Sequence, residues 1–224
     1  MVPFSVVRTQ AIVIIGLLLG LPVGGASALT LEEAIGGLEG AYGRMTDLTA
    51  EFSQISFNKS LDATIPGRGT VFLKKGGKLR WEYSEPTRQE IVSDGKTLWV
   101  YTPELNQVNT GPAPEALAGP AGSFLAGLGR VREHFQVRFL NPARPVDAAG
   151  NIVLDLTPRE PLPTMSRLIL TMALPSWEIR QAIVHDQLEN TVTMRFTRVA
   201  VNSGLGDQLF AFVTPPGVAT VPLR

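Results

Sequence analysis

In KLRWEYSEP, residues 78–86, every second side chain is apolar. Leu79, Trp81 and Tyr83 fall on one side, Arg80, Glu82 and Ser84 on the other, and Pro86 ends the run. Period-two alternation is the mark of a strand with one buried face. The pattern returns in TLWVYTP, with Leu98 and Val100 opposite Trp99 and Tyr101. FQVRFL (135–140), NIVLDLTP (151–158), SRLILTMAL (166–174), WEIRQAIVHD (177–186), NTVTMRFTRVAV (190–201) and LFAFVTPPG (209–217) read as further strands. Between Val92 and Leu98, Asp94-Gly95 suits the positive dihedrals of a tight hairpin. Strands at roughly 8–12-residue spacing, broken by Gly, Pro and Asn-Asp, predict a large antiparallel sheet or barrel. No linker, repeat or composition shift divides them, so one domain is expected.

The two ends read differently. Residues 1–10 carry one charge, Arg8, then 11–25 are almost wholly apolar, and Ala26-Ser27-Ala28 has the small-x-small form of a signal-peptidase site. The apolar run is shorter than the roughly 20 residues of a spanning helix. A signal peptide over 1–28 and a mature chain over 29–224 are therefore expected, with an exported product. The mature chain opens on a helix: Thr30 and Glu33 stand at capping-box spacing, and Leu31, Ile35, Leu38, Tyr42 and Met45 form one apolar stripe. Gly36, Gly37, Gly40 and Gly43 each weaken that helix by roughly 1 kcal/mol relative to Ala, so it should hold only by docking. The tail ATVPLR carries no evident further element.

One segment breaks the strand pattern. GPAPEALAGPAGSFLAGLG, residues 111–129, has Glu115 as its only charge. It suits one or two short helices, over roughly 114–119 and 121–128. Leu117, Phe124, Leu125 and Leu128 want burial, which favours a mobile cover over an apolar surface against an ordinary packed loop.

Reactive chemistry is scarce. With 20 basic and 20 acidic residues the chain is neutral, which argues against a nucleic-acid footprint. It has no cysteine, which excludes disulfides, thiol catalysis, zinc thiolates and a lipid-anchored form. His134 and His185 lack partners at metal-ligand spacing. No G-x-S-x-G elbow, phosphate loop or dinucleotide fingerprint occurs. Glu82/Glu85 and Asp186/Glu189 lie beside turns, where solvated carboxylates are the default. An enzyme is not expected, nor a metal or other cofactor. Two readings of the apolar residues stay open on pattern alone: the wall of a container, or a filled sandwich core.

Longer motifs point further. Phe52 and Gln54 in F-x-Q precede a glycine-led strand GTVFLKK. KLRWEYSEP, QEIVSDGKTLWVY-P and NQV follow, then F-V-T-P-P-G-V near the end. From Leu31 to Val218 this order resembles the LolA family of periplasmic lipoprotein carriers. Its most specific parts are R-W-x-Y-x-x-P (80–86) and IVSDGKTLWVY (91–101).

The resemblance implies an incomplete, open antiparallel β-barrel with a helical lid over an apolar cavity. It implies a monomeric carrier that takes acylated lipoproteins from a LolCDE-type inner-membrane ABC transporter. Delivery would be to a LolB-type outer-membrane receptor, with no covalent chemistry. Lid candidates are Leu38, Tyr42, Phe124, Leu125 and Leu128. Cavity candidates are Phe52, Phe72, Leu73, Leu79, Trp81, Leu98 and Val100, with Ile91, Leu154, Leu170 and Met194 as additional ones. In the family an arginine before a proline, ahead of the R-W strand, latches the lid. Lys75 and Gly76 stand at those positions, and lysine lacks arginine's planar fork of donors. An easier-opening lid is expected; equal binding of a cavity probe by the protein and its Lys75→Arg variant would count against it. Two other carriers or binders share such a fold: a free lipid or glycolipid carrier, and a lipid-sensing regulator of the RseB type, which has a second domain.

Overall fold

The alternating segments pair edge to edge in the computed structural model, which describes residues 29–113 and 130–223. Twelve strands form one sheet: β1 Asp47–Asn58, β2 Ala63–Lys74, β3 Lys78–Glu85, β4 Gln89–Asp94, β5 Thr97–Thr102, β6 Gln107–Pro112, β7 Phe135–Phe139, β8 Ile152–Pro158, β9 Arg167–Ala173, β10 Glu178–His185, β11 Thr191–Val201 and β12 Ala219–Pro222. Their order is β12-β6-β5-β4-β3-β2-β1-β11-β10-β9-β8-β7, and the edges β12 and β7 do not meet. The expectation of a mainly β, open barrel holds. One helix, α1 Leu31–Arg44, precedes the sheet, and Thr30 and Glu33 cap it reciprocally.

Register decides which face is buried. Across one half Ala50, Val71, Trp81, Ile91 and Val100 stand opposite one another in turn. Across the other half the corresponding row is Met194, Ala182, Leu170 and Leu154. Laid flat, twelve strands at about 4.8 Å would span about 50 Å. Yet Trp81 of β3 and Phe135 of β7 belong to one buried cluster, so the sheet curls around that face. Bulges help it bend: pairing slips at Thr49/Glu51, Arg68/Gly69 and Ile179/Gln181. Gly69 is required at its slip, because a Cβ there would overlap the Glu82 carbonyl.

The β4–β5 hairpin uses its two turn residues differently. Gly95 alone takes a positive φ, +94°. Asp94 acts through its carboxylate, which accepts from the Lys96 and Thr97 amides at 2.8 and 2.7 Å.

Two readings of the C-terminal region are corrected. Residues 209–217 are not a strand: Asp207–Phe210 is a short 3-10 turn and the chain then runs irregularly across the convex face. Phe210 is buried there, and Phe212 packs on Trp99 and Tyr101 with ring centroids 6.0 and 5.8 Å apart. The aromatics obeyed the alternation, but they anchor a strap rather than a ladder. The tail does form an element, since β12 pairs with β6, in parallel.

Polar clamps tie the strap down. Asp207 meets Lys74 and Lys78 at 2.6 and 2.7 Å, and hydrogen bonds from Lys74 and then Lys78 hold its carboxyl down at about 2. At the start of β1, burial would raise the Asp47 carboxyl. Hydrogen bonds from Ser203, Gly204 and Thr46 outweigh that and keep it below the usual range.

Candidate functional site

The concave face is built by side chains spaced two apart. Leu48, Ala50 and Phe52 on β1, Val71 and Leu73 on β2, and Leu79 and Trp81 on β3 are all buried. Phe52, Trp81 and Tyr83 pack as one aromatic group, Phe52 lying 4.9 Å from Trp81 and 5.0 Å from Tyr83 between centroids. Charged strand residues lie on the other face. There Asp155 sits between Arg138 and Arg167, and Arg80 between Glu82 and Glu90.

Helix α1 lies against this wall by its stripe. Ala34, Ile35 and Leu38 are buried, and Tyr42 and Met45 pack on the same core. The Tyr42 hydroxyl accepts from the Ile179 amide at 3.3 Å, and burial pushes its pKa up to about 12. Gly37, which the sequence marks only as a weakness, has a reason: an added Cβ would overlap the Trp177 indole. Trp177 reaches that position from the β9–β10 turn with φ at +61°.

The helix is pinned at both ends by exposed polar contacts. Arg132 bonds Glu32 at 2.8 Å and Glu39 at 3.3 Å, and its amide donates to Glu39 at 2.9 Å. At the last turn the Lys75 ammonium donates to the Gly43 carbonyl at 2.9 Å. Exposed ion pairs contribute roughly 0–1 kcal/mol each, so the stripe carries most of the docking. Beneath the last turn an apolar cleft of about 130 Å³ opens between Tyr42, Met45, Trp177, Val199 and Val201.

The residues singled out in the sequence fall into three groups. Phe52, Leu73, Leu79, Trp81, Leu98 and Val100 share the concave face, as do Ile91, Leu154, Leu170 and Met194. Leu38 and Tyr42 meet that face from α1. Phe72 does not belong with them: it pairs with Thr49 and Arg80 on the convex side, because it alternates with Val71 and Leu73. Phe124, Leu125 and Leu128, and the helices expected over 114–119 and 121–128, lie outside the described residues, as does the leader. Trp177, Ile179 and Arg132 were missed. Glu32 and Glu39, seven apart and hence on one side of α1, were the only signal for Arg132.

The suspected carboxylate pairs have structural partners. Glu82 binds Arg80, Glu85 binds Arg68, Glu189 binds Lys59, and Asp186 accepts from the amides of Leu188 and Asn190. Burial, then the nearby Arg167, lowers the pKa of His185. No cluster able to hold a metal occurs among the described residues.

Comparison with known proteins agrees with this arrangement. A chain described as an outer-membrane lipoprotein carrier protein from Dechloromonas aromatica (strain RCB) is 28% identical over 174 residues, covering 78% of this chain and 80% of that one. One of the same description from Azotobacter vinelandii is 30% identical over 196 residues, covering 85% and 88%. Among solved structures, an uncharacterized conserved protein from Thermus thermophilus shares the fold with a TM-score of 0.54 at 13% identity, covering 86% of this chain and 98% of that one. The model of the LolA outer membrane lipoprotein carrier proteins matches residues 44–213, from the end of α1 through every strand but β12 to the strap. An uncharged concave sheet under a docked helix, with that match along most of its length, makes this chain a member of the LolA family, whose proteins are carriers rather than enzymes.

Proposed function

We propose that the mature chain is a periplasmic carrier of acylated lipoproteins, exported by cleavage of residues 1–28. It accepts cargo from a LolCDE-type ABC transporter and delivers it to a LolB-type receptor. Acyl chains lie on the concave face, against Phe52, Leu73, Leu79, Leu98 and Val100. The observation that carries this reading is a sheet face free of charge, covered by a helix whose ties to Arg132 and Lys75 are exposed.

The energetics favour a removable cover. Burial is worth roughly 0.8 kcal/mol per methylene, so one long acyl chain amounts to about 10 kcal/mol and several chains to far more. Non-covalent affinity saturates near −18 to −21 kcal/mol, and a site that engulfed every chain would not release them. In the empty carrier the Leu38 stripe occupies the wall, so cargo must displace it and part of the gain is returned. Lys75 acts as the latch on the last turn of α1, one flexible donor on one carbonyl. Phe124, Leu125 and Leu128 serve as further lid residues.

The test is purification of the mature chain from its own periplasm without detergent, followed by native mass spectrometry. Co-purifying acylated lipoproteins are expected. Free lipids alone would transfer the assignment to a lipid or glycolipid carrier of the same fold. A reproducibly empty protein that also refuses an acylated client in vitro would end the carrier reading.

A further inference from the structure

The concave wall of β3 to β6 is graded along the strands. Its innermost row, at the Lys75 end, is Leu79, Ser93, Leu98 and Gly111, with the Ser93 hydroxyl donating to the Gly77 carbonyl at 2.9 Å. The next row is Trp81, Ile91, Val100 and Asn109. The outermost row is Tyr83, Gln89, Thr102 and Gln107. Its groups are joined in short links: Tyr83 to Gln54 at 3.0 Å, Gln89 to Thr102 at 3.2 Å, and Gln107 to Asn109 at 2.7 Å. Hydroxyls and amides thus border an apolar floor, and no charged side chain stands in these three rows.

Between floor and border one donor is left over. The Trp81 indole Nε1 is buried and has no hydrogen-bond partner among the described residues, a costly condition that native proteins seldom leave without a purpose. Thr102, Gln107 and Asn109 stay half-buried, so they keep capacity for further partners. Gln107 and Asn109 each retain an unused amide function after bonding one another.

We infer that this row is a headgroup subsite for uncharged acyl linkages, in which Trp81 Nε1 donates to an ester or amide carbonyl and the chains extend toward Leu79 and Leu98. The inference rests on the carrier reading and adds to it an orientation and a selectivity. A diacylglyceryl group on a cysteinyl peptide offers carbonyls and no anionic charge. A phospholipid would bring a phosphate to rows that hold no charged side chain, the exposed Arg88 beside Gln89 standing only at their rim, and an unpaired buried charge is strongly disfavoured.

The experiment compares three probes on the mature protein by fluorescence displacement: a diacyl-ester cysteinyl peptide, its dialkyl-ether analogue, and phosphatidylglycerol. The ether keeps the chains and removes the ester carbonyls. The wild-type protein should bind the ester peptide about tenfold more tightly than the ether, the effect of one buried hydrogen bond. It should bind phosphatidylglycerol more weakly than the ester peptide. Trp81→Phe, which keeps an aromatic ring beside Phe52, should bring the ratio of ester to ether affinity to about one. Equal loss for both peptides, or an ester preference that survives in Trp81→Phe, would overturn the role of Trp81. Phosphatidylglycerol binding as tight as the ester peptide would overturn the selectivity. Should wild type bind none of the three, the carrier reading falls with it, which separates the two failures. A Gln89→Leu, Gln107→Leu variant gives an independent check and should narrow the gap between ester and ether.

Discussion

Val100→Glu is expected to weaken binding of a long-chain acyl peptide by about a hundredfold or more, with the fold retained. Val100 lies on the concave face of β5, half-buried and outside the main buried cluster. The ligand-free protein can therefore hydrate a carboxylate there. With an acyl chain laid across it, the same carboxylate loses its water without gaining a partner, at a cost of several kcal/mol. Ala200→Glu supplies the control. Ala200 is exposed on the convex side opposite Thr49, so the same charge there should leave affinity within about twofold. Isothermal titration of both variants decides the matter, and equal affinities would remove the concave face from the binding account.

The second large effect concerns how α1 is seated. Gly37→Ala should raise helix propensity by about 1 kcal/mol, yet the net result is expected to be a destabilisation of about 1–2 kcal/mol. The added methyl overlaps the Trp177 indole, and overpacking of this kind costs roughly 1–3 kcal/mol. Binding of a hydrophobic dye should rise as α1 lifts. In a Trp177→Ala background the clash is gone, and Gly37→Ala should become neutral or stabilising. The coupling, read from urea unfolding of the four proteins in a double-mutant cycle, should be about 2 kcal/mol. Strict additivity would show that α1 does not rest on Trp177.

These outcomes bear on how much of the molecule was legible beforehand. Strand content was, because Leu79-Trp81-Tyr83 and Leu98-Val100 alternate without interruption. The cap of α1 was legible too, since Thr30 and Glu33 stand at a spacing with few other uses. The identity of the concave face was not. Alternation sorts residues into two sets and is silent on which set faces inward, so it puts Phe72 and Leu73 on opposite faces, and only register shows that Leu73 is the inward one. The strap misled for a related reason: Phe210 and Phe212 keep a two-residue spacing whether they anchor a loop or fill a ladder. β12, four residues long, has no periodicity to read.

At the site, sequence could nominate Lys75 only through family resemblance, although its bond to the Gly43 carbonyl makes physical sense on its own. A helix ends in unsatisfied carbonyls, and a nearby ammonium is a natural donor to them. Trp177 gave no signal, because its left-handed backbone and its contact with Gly37 depend on how the β9–β10 turn meets α1. The orphan Trp81 nitrogen is likewise a property of packing rather than of pattern.

Everything proposed above depends on cargo acyl chains lying on the concave face beneath α1. An acylated cysteinyl peptide carrying a photoreactive group at the end of its fatty chain tests this most directly, with cross-linked sites mapped by mass spectrometry. Cross-links to Leu73, Leu79 or Leu98 are predicted, and they should disappear in Val100→Glu. Cross-links concentrated on the convex face, around Phe72, Trp99 or Phe212, would contradict the claim.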